Sequence, residues 1–133
     1  MLSIKFRPAI IDDAKNVLRW KNDPVTRKFA IATHDKIEWE NHLKYFKKHM
    51  QDIRIIEVNG EAAGDIRMDD EEVSIRLDKK FRGQGIGYAA LKEIIEPNMI
   101  AKIVDGNIAS FRLFIKLGFK PVFYKKGYYI LER

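Results

Sequence analysis

The chain has no cysteine. That excludes disulfides, thiolate nucleophiles and cysteine-based zinc sites in one step. It has no apolar run near the ~20 residues that a membrane-spanning helix needs. Residues 1–7 carry charge with no long apolar stretch after it, so no secretory signal is expected and a cytoplasmic location is. Histidine is scarce: His34, His42 and His49 form no metal-ligand spacing with nearby carboxylates, and no metal is expected. Linkers, low-complexity tracts and internal repeats are also missing, so residues 1–133 read as one domain.

What is present suits a globular chain. Hydrophobic residues make up 46% and charged residues 33%, which argues against disorder. At this length roughly two-thirds of the unfolded surface can be buried, enough for a real core. The balance of 25 basic against 19 acidic residues gives +6. Residues 1–50 contribute +5, residues 51–100 contribute −4 and residues 101–133 contribute +5, so the excess is no basic tail. Such spreading suits a protein that holds small polyanions better than one that tracks a nucleic-acid backbone, and nucleic acid is not the expected partner.

Periodicity supplies an element order. Ser3–Arg7 alternates as a strand, and Asp12 or Asp13 can cap a helix that ends near Asn22-Asp23-Pro24. A second helix starts near Asp35, with Glu38 as the partner of a capping box. Its apolar stripe is Trp39, Leu43, Phe46 and Met50. Ile53–Val58 and Ala62–Met68 are strands joined at Asn59-Gly60, the strongest short hairpin signal. Acidic residues 69–72 make the next turn, and Val73–Leu77 alternates again. A helix over Gly85–Glu96, a strand over Met99–Val104, a helix over Asn107–Leu117 and two short strands around Lys126-Gly127 follow. The order β-α-α-β-β-β-α-β-α-β-β makes an α+β fold, a mixed sheet with helices packed on it.

The most informative stretch runs from Leu77 to Ala90. Gly83, Gly85 and Gly87 stand at alternate positions, where backbone N–H groups can point into one concavity without Cβ interference. The helix that follows adds unpaired N–H groups and a positive dipole end, and Lys79, Lys80 and Arg82 add charge at the mouth. Such an assembly binds phosphate oxygens. Gly85–Ala90 fits G-x-G-x-x-A, with Asp105 20 residues beyond Gly85. Five polar or charged residues separate Leu77 from Gly85, however, and the chain is too short for two βαβ halves, so a dinucleotide fold does not follow.

Arg82-Gly83-Gln84-Gly85-Ile86-Gly87 matches the [QR]-x-x-G-x-[GA] signature of the GNAT superfamily of N-acetyltransferases. The run Asn107 to Phe119, closing on Lys116-Leu117-Gly118-Phe119, resembles the second signature of that family. The element order is also similar, so the resemblance spans the chain. It implies a single-domain GNAT-like fold, a mixed and mostly antiparallel sheet flanked by about four helices. It also implies acetyl-CoA as co-substrate. Leu77, Arg82, Gly83, Gln84, Gly85, Ile86, Gly87, Asn107, Ser110 and Phe114 are the implied cofactor contacts, and the Leu77 backbone N–H would meet the thioester carbonyl. Asn107 serves equally well as a helix cap.

The resemblance leaves proton transfer open. Phe114 stands where the family often has a tyrosine acid; Ser110, Tyr124, Tyr128 or solvent are the substitutes. Glu71, Glu72, His42 and Asp65 are the candidate bases, although the two glutamates also suit a solvated turn and Asp65 a strand-surface charge. A Trp20-x-Asn22-Asp23-Pro24-x-x-Arg27 run, followed by Ile37-x-x-x-x-His42-Leu43 and Gly64–Asp69, resembles a subgroup that acetylates nucleotide-linked amino sugars of the pseudaminic-acid type. It implies Trp20, Asn22, Arg27, His42 and Arg67 as acceptor contacts, with Arg19 a further candidate for a diphosphate. The alternatives are acetylation of the N-terminal amine of a ribosomal or other protein, and a binding module for acyl-CoA or nucleic acid without turnover. A homodimer is compatible with the sequence.

Overall fold

Alternation in residues 3–8 and 53–58 produces the two strands that start the sheet. In the computed structural model, which describes residues 2–31 and 34–133, β1 (Ile4–Pro8) pairs antiparallel with β2 (Ile53–Val58). Between them lie α1 (Ala14–Asn22), α2 (Pro24–Lys28) and α3 (Trp39–His49). Asn59 and Gly60 both adopt positive φ, 51° and 84°, and turn β2 into β3 (Glu61–Asp69) as the dipeptide predicts. β4 (Glu72–Leu77), α4 (Ile86–Ile94), β5 (Ile100–Val104), α5 (Ile108–Lys116), β6 (Lys120–Lys125) and β7 (Tyr128–Glu132) complete the chain. The seven strands among the described residues form one sheet in the order β1-β2-β3-β4-β5-β7-β6. The α+β architecture and its order agree with the sequence. The helix beyond the expected four is the short α2. Among the described residues no helix is long and apolar enough to cross a membrane.

Each face of the sheet carries its own core. Ile55 and Ile56 are consecutive, so their side chains leave opposite faces. Ile55 joins Val17, Trp20 and Phe46 under α1 and α3, while Ile56 joins Ile86, Leu91, Phe114 and Leu131 under α4 and α5.

Helix starts depart from the sequence expectation for a local reason. α3 begins at Trp39, and no Asp35–Glu38 capping box forms: Glu38 is the N-cap, extended at φ −80° and ψ 149°, with no side-chain cap. Asn22 donates through Nδ2 to the Ile37 carbonyl at 2.9 Å and accepts the Ile37 N–H at 2.8 Å. That two-point clamp holds residue 37 in extended backbone, so helical bonding starts only after it. Trp39, expected on the apolar stripe, is 40% exposed at the start of the helix. α2 exists because Asp23 accepts the N–H groups of Val25 and Thr26 while Pro24 pre-sets the first helical φ.

Gly64 is the tightest point of the sheet. It lies opposite Leu77, and a Cβ there would sit 2.1 Å from the Arg76 carbonyl oxygen and 3.0 Å from the Leu77 Cα. Both are backbone atoms, so a side chain would have to push β3 from β4. Gly64→Ala is expected to destabilise the chain by about 3 kcal/mol, the upper range for an overpacked site, read as a lower midpoint in thermal unfolding.

Candidate functional site

The site grows from β4, which is paired along one edge and open along most of the other. Asp78 N–H donates to the Ala63 carbonyl at 2.7 Å, and the register with β3 then alternates through Arg76, Ser74 and Glu72. The N–H groups of Ile75 and Leu77 therefore point away from β3, toward β5. Parallel β5 meets β4 at a single bridge, Glu72 opposite Ile100. The Ile100 N–H donates to Glu71 at 2.8 Å, and Lys102 Nζ is 3.2 Å from Glu72 Oε1, so both contacts close the same end. Beyond them the strands diverge, and two outward N–H donors face the gap. The sequence singles out Leu77 through the family resemblance and not Ile75, although strict alternation of 73–77 carries both.

The loop after β4 is built for close approach. Asp78 Oδ1 caps a short 3-10 turn (Lys79–Phe81) through the Lys80 N–H at 2.9 Å. Its Oδ2 accepts Trp20 Nε1 at 3.0 Å and Arg19 at 2.7 Å. Burial pushes the Asp78 carboxyl up, but these donors outweigh burial and hold it below the ordinary range. Gly83 and Gly85 take φ of 75° and 78°, and no atom lies within 4 Å of a Cβ built on either. Gly85 is the left-handed N-cap of α4. Gly87 faces the side chains of Leu113, Ile75 and Leu77, which a Cβ at this position would meet at 3.5–3.8 Å. Open space beside two positive-φ glycines and a nine-residue helix fits an anion with several acceptor oxygens. A cavity of about 370 Å³ adjoins the loop, lined by Arg19, Trp20 and residues 78–80 among others. A second of about 200 Å³ lies over the start of α5, at Asn107, Phe111 and Tyr129.

Several predicted residues have other work. Arg82 lines the first cavity, its guanidinium donating to the Leu77 carbonyl at 3.1 Å and to Asp23 at 3.1 Å. Gln84 donates to the Lys80 carbonyl, and Lys80 pairs with Glu61 at 3.0 Å. Trp20 is 2% exposed with its N–H on Asp78, and both polar atoms of the Asn22 side-chain amide are held by Ile37, so the hydrogen-bonding groups of both are engaged within the fold. Ile86 is buried in the α4–α5 core. Asn107 caps α5 through the Ser110 N–H at 3.4 Å and lines the second cavity, so the capping role is present. Phe114 is 2% exposed and packs edge-on to Phe119 at 5.0 Å, a core ring not open to a cofactor. Tyr124 donates to Asp105 at 3.3 Å on the exposed hairpin β6–β7, and Tyr128 starts β7.

None of the candidate bases reaches the gap. Glu72 is held by Lys102 at the closed end, five residues or about 17 Å along the strand from Leu77. Glu71 lies in the turn beside it. Asp65 is no surface charge: it is 1% exposed and accepts Arg76 at 3.2 and 2.9 Å. His34 is exposed, and His49 stacks on Tyr45 and lies 3.8 Å from Asp52. No cluster of three metal-ligating side chains occurs among the described residues. Arg27 and Arg67 are half-buried, each with a buried Nε that has no partner.

His42 is 1% exposed and bonds through Nε2 to the Ala14 carbonyl at 2.8 Å. A carbonyl only accepts, so Nε2 carries the proton and the buried Nδ1 is bare. Burial, followed by the nearby Lys21 charge, lowers its pKa from 6.5 to about 4. It is a neutral core histidine rather than a base or acceptor contact. Between those two values the unfolded chain holds more protons, so stability present above pH 6.5 falls as pH drops toward 4. The loss is on the order of 3 kcal/mol, and His42→Gln is expected to flatten that part of the profile in urea unfolding between pH 4 and 7.

Comparison with known proteins agrees with this fold. A domain from Methanocaldococcus jannaschii superposes with a TM-score of 0.83 at 22% identity, covering 100% of this chain and 99% of that one. A ribosomal-protein-alanine N-acetyltransferase from Brucella melitensis gives 0.74 at 24% identity, with 96% of each chain covered. The yncA protein of Salmonella typhimurium, solved with its cofactor acetyl-CoA, gives 0.71 at 22% identity, covering 96% of this chain and 90% of that one. In sequence, the uncharacterized protein MJ1062 of M. jannaschii is 25% identical over an alignment of 134 positions that covers 87% of this chain and 27% of that protein's length. Residues 3–120 match the family model for the acetyltransferase (GNAT) domain, and the chain belongs to that family of acyltransferases.

Proposed function

We propose that this chain transfers an acetyl group from acetyl-CoA to a primary amine, and that the amine belongs to a nucleotide-linked amino sugar. The observation that carries the first part is the opening between β4 and β5, where the Ile75 and Leu77 N–H groups stand beside the glycine loop. When bound, acetyl-CoA supplies a thioester whose carbon accepts the amine and whose sulfur leaves with the bonding electrons. The N–H groups of residues 83–87 would hold its diphosphate, and Asn107 and Ser110 would flank its arm. A strand N–H fixed before reaction stabilises the charge that grows on the carbonyl oxygen without having to reorganise. Most of the acceleration then comes from positioning.

Proton transfer needs no dedicated side chain in this reading. A thiol with a pKa near 8.5 leaves readily, and solvent protonates it. The amine arrives with its lone pair free, its ammonium proton having passed to water, and the second proton it sheds as the amide forms also goes to water, balancing the one the thiolate takes up. The finer acceptor assignment rests on the likeness of residues 20–27 and 37–43 to the amino-sugar subgroup, and on the basic side chains of that part of the chain. Trp20, Asn22 and Asp23 themselves are engaged elsewhere, fastening α1 and α2 to the loop and to Ile37.

Two measurements test the reading. Gly85→Glu places a carboxylate and a strained backbone where a diphosphate would lie, and is expected to weaken acetyl-CoA binding by about a hundredfold, ~2.7 kcal/mol, in calorimetric titration. CoA release with UDP-linked 4-amino-sugars, free amino acids and N-terminal peptides is expected only with the nucleotide sugars. Turnover on peptides alone would reject the amino-sugar acceptor, and absence of acetyl-CoA binding would reject the transfer itself.

A further inference from the structure

The face of β3 and β4 that packs under α1 and α3 gathers three cations, Lys21, Arg67 and Arg76, against two carboxylates, Asp65 and Asp69, and the sequence singles out only Arg67 of them. Side chains of Arg67 and Arg76 alternate onto it, Asp65 lies opposite Arg76, and Lys21 approaches from α1. Arg76 and Asp65 neutralise each other through a bidentate pair. Arg67 bonds the Tyr45 hydroxyl and, at 3.0 Å, Asp69, yet its Nε is buried with no partner. Among the described residues Lys21 has no carboxylate partner, and its Nζ sits 4.3 Å from the centre of the Tyr45 ring.

We propose that Lys21, Arg67 and Arg76 seat an oxyanion of the acceptor, a phosphate or a carboxylate, with Tyr45 as the wall of the seat. The proposal deepens the transfer reading above and depends on it for the amine. Arg76 lies between Ile75 and Leu77 on β4, about 3.3 Å along the strand from each, so an anion held there brings an attached amine toward the gap. The bland alternative, that Lys21 is held only by its cation–π contact with the Tyr45 ring, leaves the Arg67 Nε unexplained. Asp65 and Asp69 are taken up by the two guanidiniums, so the half-buried Lys21 ammonium is the one cation left over, and it is costly unless a further anion completes the group. The Lys21 pKa reflects that deficit: burial first, then Arg76, lowers it from 10.5 to about 8, and Arg67 adds to the fall while Asp65 opposes it. His42, neutral near that pH, and the Tyr45 ring are the other titratable groups packed against it.

Lysine reactivity tests the proposal without turnover. The whole chain is trace-labelled with acetic anhydride from pH 6 to 10, and Lys21 modification is read by peptide mass spectrometry. The ligands are UDP, pyrophosphate, N-acetylalanine and, as a neutral control, glucose. Without ligand, Lys21 is expected to titrate near 8. At about 10 mM, which fills any site tighter than millimolar, an oxyanion should raise that midpoint by about one unit and protect the residue, and glucose should do neither. Protection by UDP and pyrophosphate identifies a phosphate, and protection by N-acetylalanine alone a carboxylate. In the Arg67→Gln variant the protection should fall at least about tenfold in affinity, ~1.4 kcal/mol. Turnover of the preferred acceptor by Lys21→Met should show a raised KM with kcat little changed. If no oxyanion alters Lys21 labelling while acetyl-CoA still binds, the seat is disproved and the transfer reading stands; if oxyanions protect but acetyl-CoA does not bind, the transfer reading fails instead.

Discussion

Every buried backbone N–H needs a partner, and β4 meets that requirement on one edge only. Its even-numbered residues bond to β3, and β5 touches its other edge at Glu72 before leaving. The two N–H groups left facing the gap at Ile75 and Leu77 are the polar feature around which the site is arranged. The closed end is fixed by Glu71, Ile100 and the Lys102–Glu72 pair, and β5 is held on its far side by a five-residue ladder to β7. Gly64 allows β3 to lie close behind Leu77, which keeps the donors in place from the rear.

Carboxylates and one asparagine join the remaining parts. Asp78 ties Trp20 and Arg19 of α1 to the start of the glycine loop, Asp23 caps α2 and receives Arg82, and Asn22 clamps Ile37. The polar run 20–27, conspicuous in the sequence as a candidate acceptor surface, is thereby a fastening between the helices and the loop. A buried hydrogen-bonding group is as good a reason for a Trp-x-Asn-Asp run as a ligand is, and composition does not separate the two. Many of the basic side chains likewise sit in local pairs: Lys80 with Glu61, Arg82 with Asp23, Arg19 with Asp78, Arg76 with Asp65 and Arg67 with Asp69, whereas Lys21 has no carboxylate partner among the described residues.

Local chemistry makes much of the fold legible. Asn59-Gly60 dictates its hairpin, Pro24 ends α1, and Gly83 and Gly85 take the left-handed backbone that their lack of a Cβ permits. These features depend on neighbours in the chain. The site residues that the sequence does not disclose depend on register. Once the turn at Asp70-Glu71 is set, Asp65 must oppose Arg76 and Gly64 must oppose Leu77; an isolated glycine inside a strand is itself a sign of close backbone approach. The turn is legible, but residues 69–72 fix its centre only when their pairing is known.

Sequence by itself determined the family-like order of strands and helices, the glycine loop and its helix, and the two outward positions on an alternating strand, because each follows from period, turn chemistry or backbone freedom. Tertiary structure decided what the polar side chains do. It placed His42 and Phe114 in the core, moved Glu72 to the closed end, engaged Trp20, Asn22 and Arg82 in internal bonds, and gathered Lys21, Arg67 and Arg76 from α1, β3 and β4 onto one face. Those outcomes depend on which distant segments meet, and the burial and charge that set each group's chemistry exist only after they have met.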